Sequence, residues 1–284
     1  MVSCGSALDL CFLRVLGVLV KMPTELEVAL KSEPAPKTLP VGLPIAHLSV
    51  QRWLRSILTA GQLEPRQCHV LREKLLYLSY GGVFFRSSTP NTENATELPV
   101  AFVFSPVALS LVSKLFPFDS GAMASGKFGP KWSRRLKPFQ SRFSVNTKDA
   151  LRDAGLLVYH LFETNRQYLK GEACSDGSGK HEPFPLLREF LTADLSSIQV
   201  DHRQRTIEAI AEVEIKLRDT LEWIGVPEID ISNVQNRLYH WTKPRMVEIH
   251  SYGFRKNFHP RELAAQLELA AHDYVVRKYA NFQQ

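Results

Sequence analysis

Apolar and polar positions along the chain follow two periods, and the switches between them predict the elements. Residues 31–44, KSEPAPKTLPVGLP, hold four prolines and read as an extended lead-in. Ile45–Leu48 predicts a short strand. Ser49 stands where an N-cap belongs, and Val50, Trp53, Leu54, Ile57 and Leu58 then recur at helical spacing. Gly61 follows that helix as a left-handed closing residue should. Glu64–His69 reads as a loop. Lys74–Tyr80 predicts a strand buried on both faces, because its apolar residues do not strictly alternate. Ser87–Glu97 is a polar hairpin tip. Pro99–Phe104 is a strand by its β-branched and aromatic content. Ser105–Leu115 predicts a helix and Phe116–Ala122 a sharp turn.

Farther on, Thr147 is placed to cap a helix in which Leu151, Leu157, Val158, Leu161, Phe162 and Tyr168 share one face. Residues 172–183 are poor in apolar side chains and read as a loop. Pro185–Leu195 predicts a short helix. Asp201–Leu217 carries two signals at once: its residues favour a helix, but Val213, Ile215 and Leu217 alternate as in a strand. Pro260–Tyr279 predicts a helix, with Pro260 in its first position and Leu263, Leu267, Ala270 and Tyr274 as its apolar stripe.

The apolar stretch Ala7–Val20 is interrupted by Asp9 and Arg14, is too short to span a membrane and lacks the flanks of a signal peptide. Residues 1–21 are therefore expected to be an N-terminal extension that is not native to the domain. A short helix packed on the core is the alternative. Residues 22–284 are expected to form one domain with a helical C-terminal portion from about residue 230.

Composition narrows the class without naming a function. The chain is 44% apolar and 23% charged, as soluble globular proteins are. Its net charge of +6, from 35 basic and 29 acidic side chains, is compatible with an anionic ligand. Cys4, Cys11, Cys68 and Cys174 show no CxxC spacing, so neither structural zinc nor a disulfide framework is expected, and a reducing, cytoplasmic setting is the default. No metal site and no membrane partner are expected. There is no GxxxxGK[ST], no strand-GxGxxG-helix, no GxSxG and no HExxH.

What remains is a set of separated polar residues on apolar segments: His47, Tyr77 and Tyr80, Asp119, Glu208 and Glu248. All but Glu248 have a plain structural alternative. His47 can simply bond the chain at a strand end. Tyr77 and Tyr80 can be buried strand aromatics. Asp119 can stabilise its own turn. Glu208 can lie on the solvated face of a helix from His202 to Trp223.

The order of these segments resembles the ADP-ribosyltransferase superfamily, and the later strand PVAFVFSP is similar to the DNA-targeting members and to related uncharacterised bacterial proteins. The resemblance is carried by H-x-[ST] at His47–Ser49, YGGVFFR at 80–86, PFDSGA at 117–122 and DHRQRTIE at 201–208. Gly82 and Val83 depart from the pattern, which has Arg and Pro there. The resemblance implies an α+β fold, a split mixed sheet around an NAD cleft with flanking helices. It also implies transfer of ADP-ribose from NAD to a nucleic-acid or protein acceptor, in the setting of a toxin or antiviral defence effector, with an antitoxin or regulatory partner. By the same resemblance His47 orients the ribose, Tyr80 walls the nicotinamide and Glu208 is the catalytic carboxylate, with Glu248 as its substitute. Ser49, Gly81, Arg86 and Asp119 join His47 and Tyr80 as cofactor-binding residues.

The run 126–143 is locally basic. Lys127, Lys131, Arg134 and Arg135 are interleaved with Phe128, Trp132, Phe139 and Phe143, a composition that suits nucleic acid or, equally, a core-anchored helix pair with charges turned to water. Two other functions stay open: a non-catalytic nucleic-acid-binding module on the same scaffold, and a metal-dependent nuclease using Asp119, Asp201, His202 and Glu208.

Overall fold

A computed structural model of the chain describes residues 12–15, 18–83, 95–175, 179–193, 202–241, 247–253 and 260–279. Thirteen strands run through these residues: β1 Phe12–Val15, β2 Val18–Lys21, β3 Ile45–Val50, β4 Gln62–Leu63, β5 Arg66–Gln67, β6 Lys74–Tyr80, β7 Pro99–Phe104, β8 Val112–Phe116, β9 Val145–Asn146, β10 Glu208–Ala211, β11 Ile215–Lys216, β12 Leu221–Pro227 and β13 Glu248–Tyr252. The helices are α1 Glu25–Ser32, α2 Gln51–Ala60, α3 Ser120–Ala124, α4 Gly129–Arg135, α5 Phe139–Phe143, α6 Ala150–Phe162, α7 Asn165–Lys170, α8 Phe184–Thr192, α9 Leu217–Thr220, α10 Ile231–Trp241 and α11 Pro260–Tyr279.

The fold is α+β: one large mixed sheet flanked by helices. Its strand order is β13-β12-β7-β3-β6-β10-β8-β9, with β5 added to β6. Every pairing is antiparallel except β12 with β13, which is parallel. β3 runs beside β7 along its whole length, Ile45–Val50. It meets β6 through two pairs, Ile45 with Tyr80 and Ala46 with Ser79. Beyond Ala46 the two strands part, so the sheet is seamed at its middle. β1 and β2 pair with each other and with no other strand among the described residues, where the N-terminal alternative was a helix.

Several boundaries fall where the hydrophobic pattern puts them. β6, β7 and α11 match, and Gly61 ends α2 at φ +70° with its N–H on Ile57 O. Others do not. Ser49 is a strand residue, and Val50 precedes α2 with no side-chain cap. The expected loop 64–69 contains β5. The expected helix Ser105–Leu115 is a 3-10 turn at Pro106–Leu111 followed by β8, because Val112–Phe116 finds an open strand edge on β10. Asp149, not Thr147, caps α6, and Thr147 instead donates to Asp153 at 2.6 Å. Tyr168 belongs to a second helix, since Glu163 at φ +66° ends α6 and Thr164 caps α7.

The two-signal segment resolves as strand. Glu208–Ala211 lies between β6 and β8 and is buried throughout. Helix propensity differs by only tenths of a kcal/mol per residue among ordinary residues, and pairing on both edges overrides it. The core beneath this end of the sheet is aromatic. Phe190 of α8 meets Phe118, Phe128 and Trp132 edge-on at 5.7, 5.2 and 5.2 Å between centroids.

Candidate active site

Three segments far apart in sequence meet at the middle of the sheet. Residues directly opposite in antiparallel strands share a face. Ala46, Ser79, Glu208 and Phe116 therefore form one row across β3, β6, β10 and β8. The row puts Glu208 two strands from Ala46, about 10 Å at ordinary strand spacing.

Glu208 opens β10 and is 2% exposed. Its Oε2 accepts from both donors of Ser120, the backbone N–H at 3.2 Å and the hydroxyl. Ser120 is the first residue of α3, which follows β8 after the turn at Pro117–Asp119. Asp119 caps that helix: Oδ1 accepts from Ala122 N at 2.7 Å, and its own N–H donates to Arg203 O at 3.1 Å. The PFDSGA and DHRQRTIE segments thus touch at two points. Asp119, expected at a cofactor, is instead buried and holds the turn.

His47 faces the seam. Its Nδ1 lies 2.9 Å from Tyr77 O, across the gap where β3 leaves β6. A carbonyl only accepts, so Nδ1 carries the proton, and in the neutral ring Nε2 is an acceptor. His47 is half-buried, and it follows Ala46, so it starts from the face opposite that of Glu208. Tyr77 in turn shares a hydrogen bond with Cys68 Sγ at 2.7 Å. Ser49 is half-buried opposite Val100, two residues farther along β3.

Tyr80, expected to wall the nicotinamide, is packed in the core. It has no exposed surface, its hydroxyl accepts from Leu43 N at 3.0 Å, and burial pushes its ionisation up to about 12. Its carbonyl accepts from the Tyr168 hydroxyl at 2.6 Å, and that oxygen also accepts from Ile207 N at 3.1 Å. Tyr168 therefore bridges β6 to the residue just before Glu208. Gly81 serves the same packing. It sits at φ +72°, and a Cβ there would lie 2.8 Å from the Tyr168 ring and 2.9 Å from Leu43. The close approach allowed by this glycine is to the Tyr168 and Leu43 side chains. Arg86 lies outside the described residues.

Glu248, the substitute carboxylate, is at the opposite end of the sheet order. It stands on the edge strand β13, exposed, with both oxygens 2.7 Å from Arg277 Nη2. Five strand steps separate β13 from β10, roughly 24 Å. Glu248 cannot replace Glu208 in a site at the seam.

The basic run separates into rings and charges. Phe128, Trp132, Phe139 and Phe143 are buried, so they anchor α4 and α5 in the core and offer no stacking platform. Lys127, Lys131, Arg134 and Arg135 are exposed. Glu189 of α8 takes Arg135 in a bidentate pair and lies 4.0 Å from Lys131. For the nuclease reading, Asp201 and the His202 side chain lie outside the described residues. Among the described residues no group of three or more His, Cys, Asp or Glu could hold a metal.

Ser120 and Tyr168 carry these roles without a mark in the sequence. Ser120 lies inside a quoted motif but next to a more conspicuous aspartate. Tyr168 looks like one more apolar stripe position. Neither carries a local signal for a partner 88 residues away.

No family model and no curated protein matches this chain. Among solved structures, Thermus sp. 2.9 DarT in complex with NAD+ is similar at a TM-score of 0.41 and 12% sequence identity, over 76% of this chain and 98% of that one. A likeness of that size assigns no chemistry to this chain.

Proposed function

We propose that the chain is an ADP-ribosyltransferase that uses NAD as substrate, with Glu208 as its carboxylate and His47 beside the ribose. The observation that supports this most is the convergence of YGG, PFDSGA and DHRQRTIE around one buried, oriented carboxylate next to a seam in the sheet. These are the segments that carry the resemblance, and nothing in local folding obliges them to meet.

The donor set suits the reaction. As the nicotinamide–ribose bond breaks, the electron pair leaves with the ring nitrogen and positive charge grows on the ribose. A carboxylate shielded from water stabilises that charge far more than an exposed one does. It can then take the proton of the attacking acceptor oxygen or nitrogen. In this reading His47, held through Nδ1 by Tyr77 O, orients a ribose hydroxyl from the seam. Tyr80 and Asp119 take no part, because their polar atoms serve the scaffold. The acceptor in this reading is a macromolecule, and exposed Lys127 and Arg134 are the residues through which an anionic one would be held. The toxin or defence setting and an antitoxin partner follow from the same resemblance. Among the described residues no helix is long and apolar enough to cross a membrane.

Nicotinamide release from NAD by purified protein tests the proposal, with nucleic acid or cell extract supplied as acceptor. Release that disappears in Glu208→Gln and falls in His47→Ala is expected. No release under any of these conditions sinks it.

A further inference from the structure

We infer that Ser120 is a positioning residue for Glu208, and that the Asp119–Ser120 cap sets the orientation of the carboxylate. This rests on the reading of Glu208 as the catalytic carboxylate. Ser120 is 1% exposed, and both of its donors meet one atom, Glu208 Oε2. Two donors converging on one oxygen restrict the carboxylate to a single orientation before any substrate arrives. The usual use of a hydroxyl at a helix start is to accept from that helix's own amides. Asp119 already does this through Ala122 N, and the Ser120 hydroxyl instead reaches across 88 residues of chain.

The cap is also tied to the segment that leads into β10. Asp119 N donates to Arg203 O, so serine and carboxylate are held in one frame from both sides. The strands on either side place Ser79 and Phe116 opposite Glu208, and neither side chain titrates at ordinary pH. Asp119 on the cap and Arg203 before the strand are charged residues of the two joined segments. Hydrogen bonds donated to an ionised carboxylate favour its ionised form. Loss of the serine hydroxyl therefore has a signature beyond lost activity.

The test compares Ser120→Ala and Ser120→Thr with the unaltered protein. For Ser120→Ala, kcat for nicotinamide release falls roughly tenfold to a hundredfold, and KM for NAD stays within about twofold. The acid limb of its pH–rate profile moves to higher pH. Ser120→Thr, which keeps the hydroxyl, recovers most of the rate. A second readout needs no turnover. With 13C-labelled glutamate, the Glu208 carboxyl resonance is assigned by its absence in Glu208→Gln, and its titration midpoint is higher in Ser120→Ala. If Ser120→Ala does not fold, Ser120→Cys, near in volume and a weak donor, gives the same two readouts. Unchanged kcat and an unchanged midpoint overturn the inference. An inactive Glu208→Gln beside a fully active Ser120→Ala overturns it alone. If the protein releases no nicotinamide, or Glu208→Gln is fully active, the catalytic reading falls, and the carboxyl titration still decides whether Ser120 holds Glu208.

Discussion

Glu208 and Glu248 are two strand glutamates of one sheet, each flanked by apolar residues, and the sheet treats them in opposite ways. Glu208 lies on a strand paired on both edges, is shielded from water and is held by a serine. Glu248 lies on an edge strand, faces water and pairs with Arg277. A carboxylate in the interior costs several kcal/mol unless donors satisfy it, whereas an exposed ion pair contributes little. In the proposed reading, that contrast favours Glu208 over Glu248.

The largest expected effect is on chemistry. Glu208→Gln lowers nicotinamide release by about a hundredfold or more, while Glu248→Gln stays within about twofold. Equal losses in the two variants would erase the distinction between the centre of the sheet and its edge.

Next comes the brace behind Glu208. Tyr168→Phe removes the hydroxyl that donates to Tyr80 O and accepts from Ile207 N, leaving two buried backbone groups unpaired. Denaturant unfolding should show a loss of about 2–5 kcal/mol. A loss under about 1 kcal/mol would mean that the bridge does not hold β6 to the approach of β10.

A smaller effect depends on pH. Burial raises the Tyr80 phenol to about 12 and raises Tyr168 as well, whereas an unfolded tyrosine ionises near 10. Between these values the folded state keeps a proton that the unfolded state has lost. The stabilisation is whole below about pH 10 and is lost as pH rises toward the folded value. Melting temperature should fall through that window, and fall less in Tyr80→Phe. A flat profile up to pH 12 would contradict the burial of these hydroxyls.

The smallest effect is at the edge. A double-mutant cycle on Glu248 and Arg277 should give a coupling of about 0.5 kcal/mol that fades with added salt. A coupling above about 2 kcal/mol would make the edge pair as consequential as the centre.

Much of the fold can be read along the chain because some signals are local. Strands at Lys74–Tyr80 and Pro99–Phe104 follow from consecutive side chains, and the α11 stripe follows from a 3.6-residue period. Gly61 marks a helix end because few other residues accept its φ. Val112–Phe116 and Glu208–Ala211 could not be read this way. Glu208–Ala211 is a strand because β6 and β8 offer it edges, and Val112–Phe116 is one because β10 and β9 do.

The candidate site divides along the same line. The resemblance carried by the segments at 47–49, 80–86, 117–122 and 201–208 implied roles for His47 and Glu208 and a class of reaction. Which polar groups serve the scaffold was decided only by the tertiary structure. It turned Tyr80, Gly81 and Asp119 into supports, removed Glu248 to the far edge and brought in Ser120. The physical reason is that periodicity and turn chemistry act over a few residues. Whether a buried carboxylate is satisfied depends on donors that the chain supplies from 88 residues away.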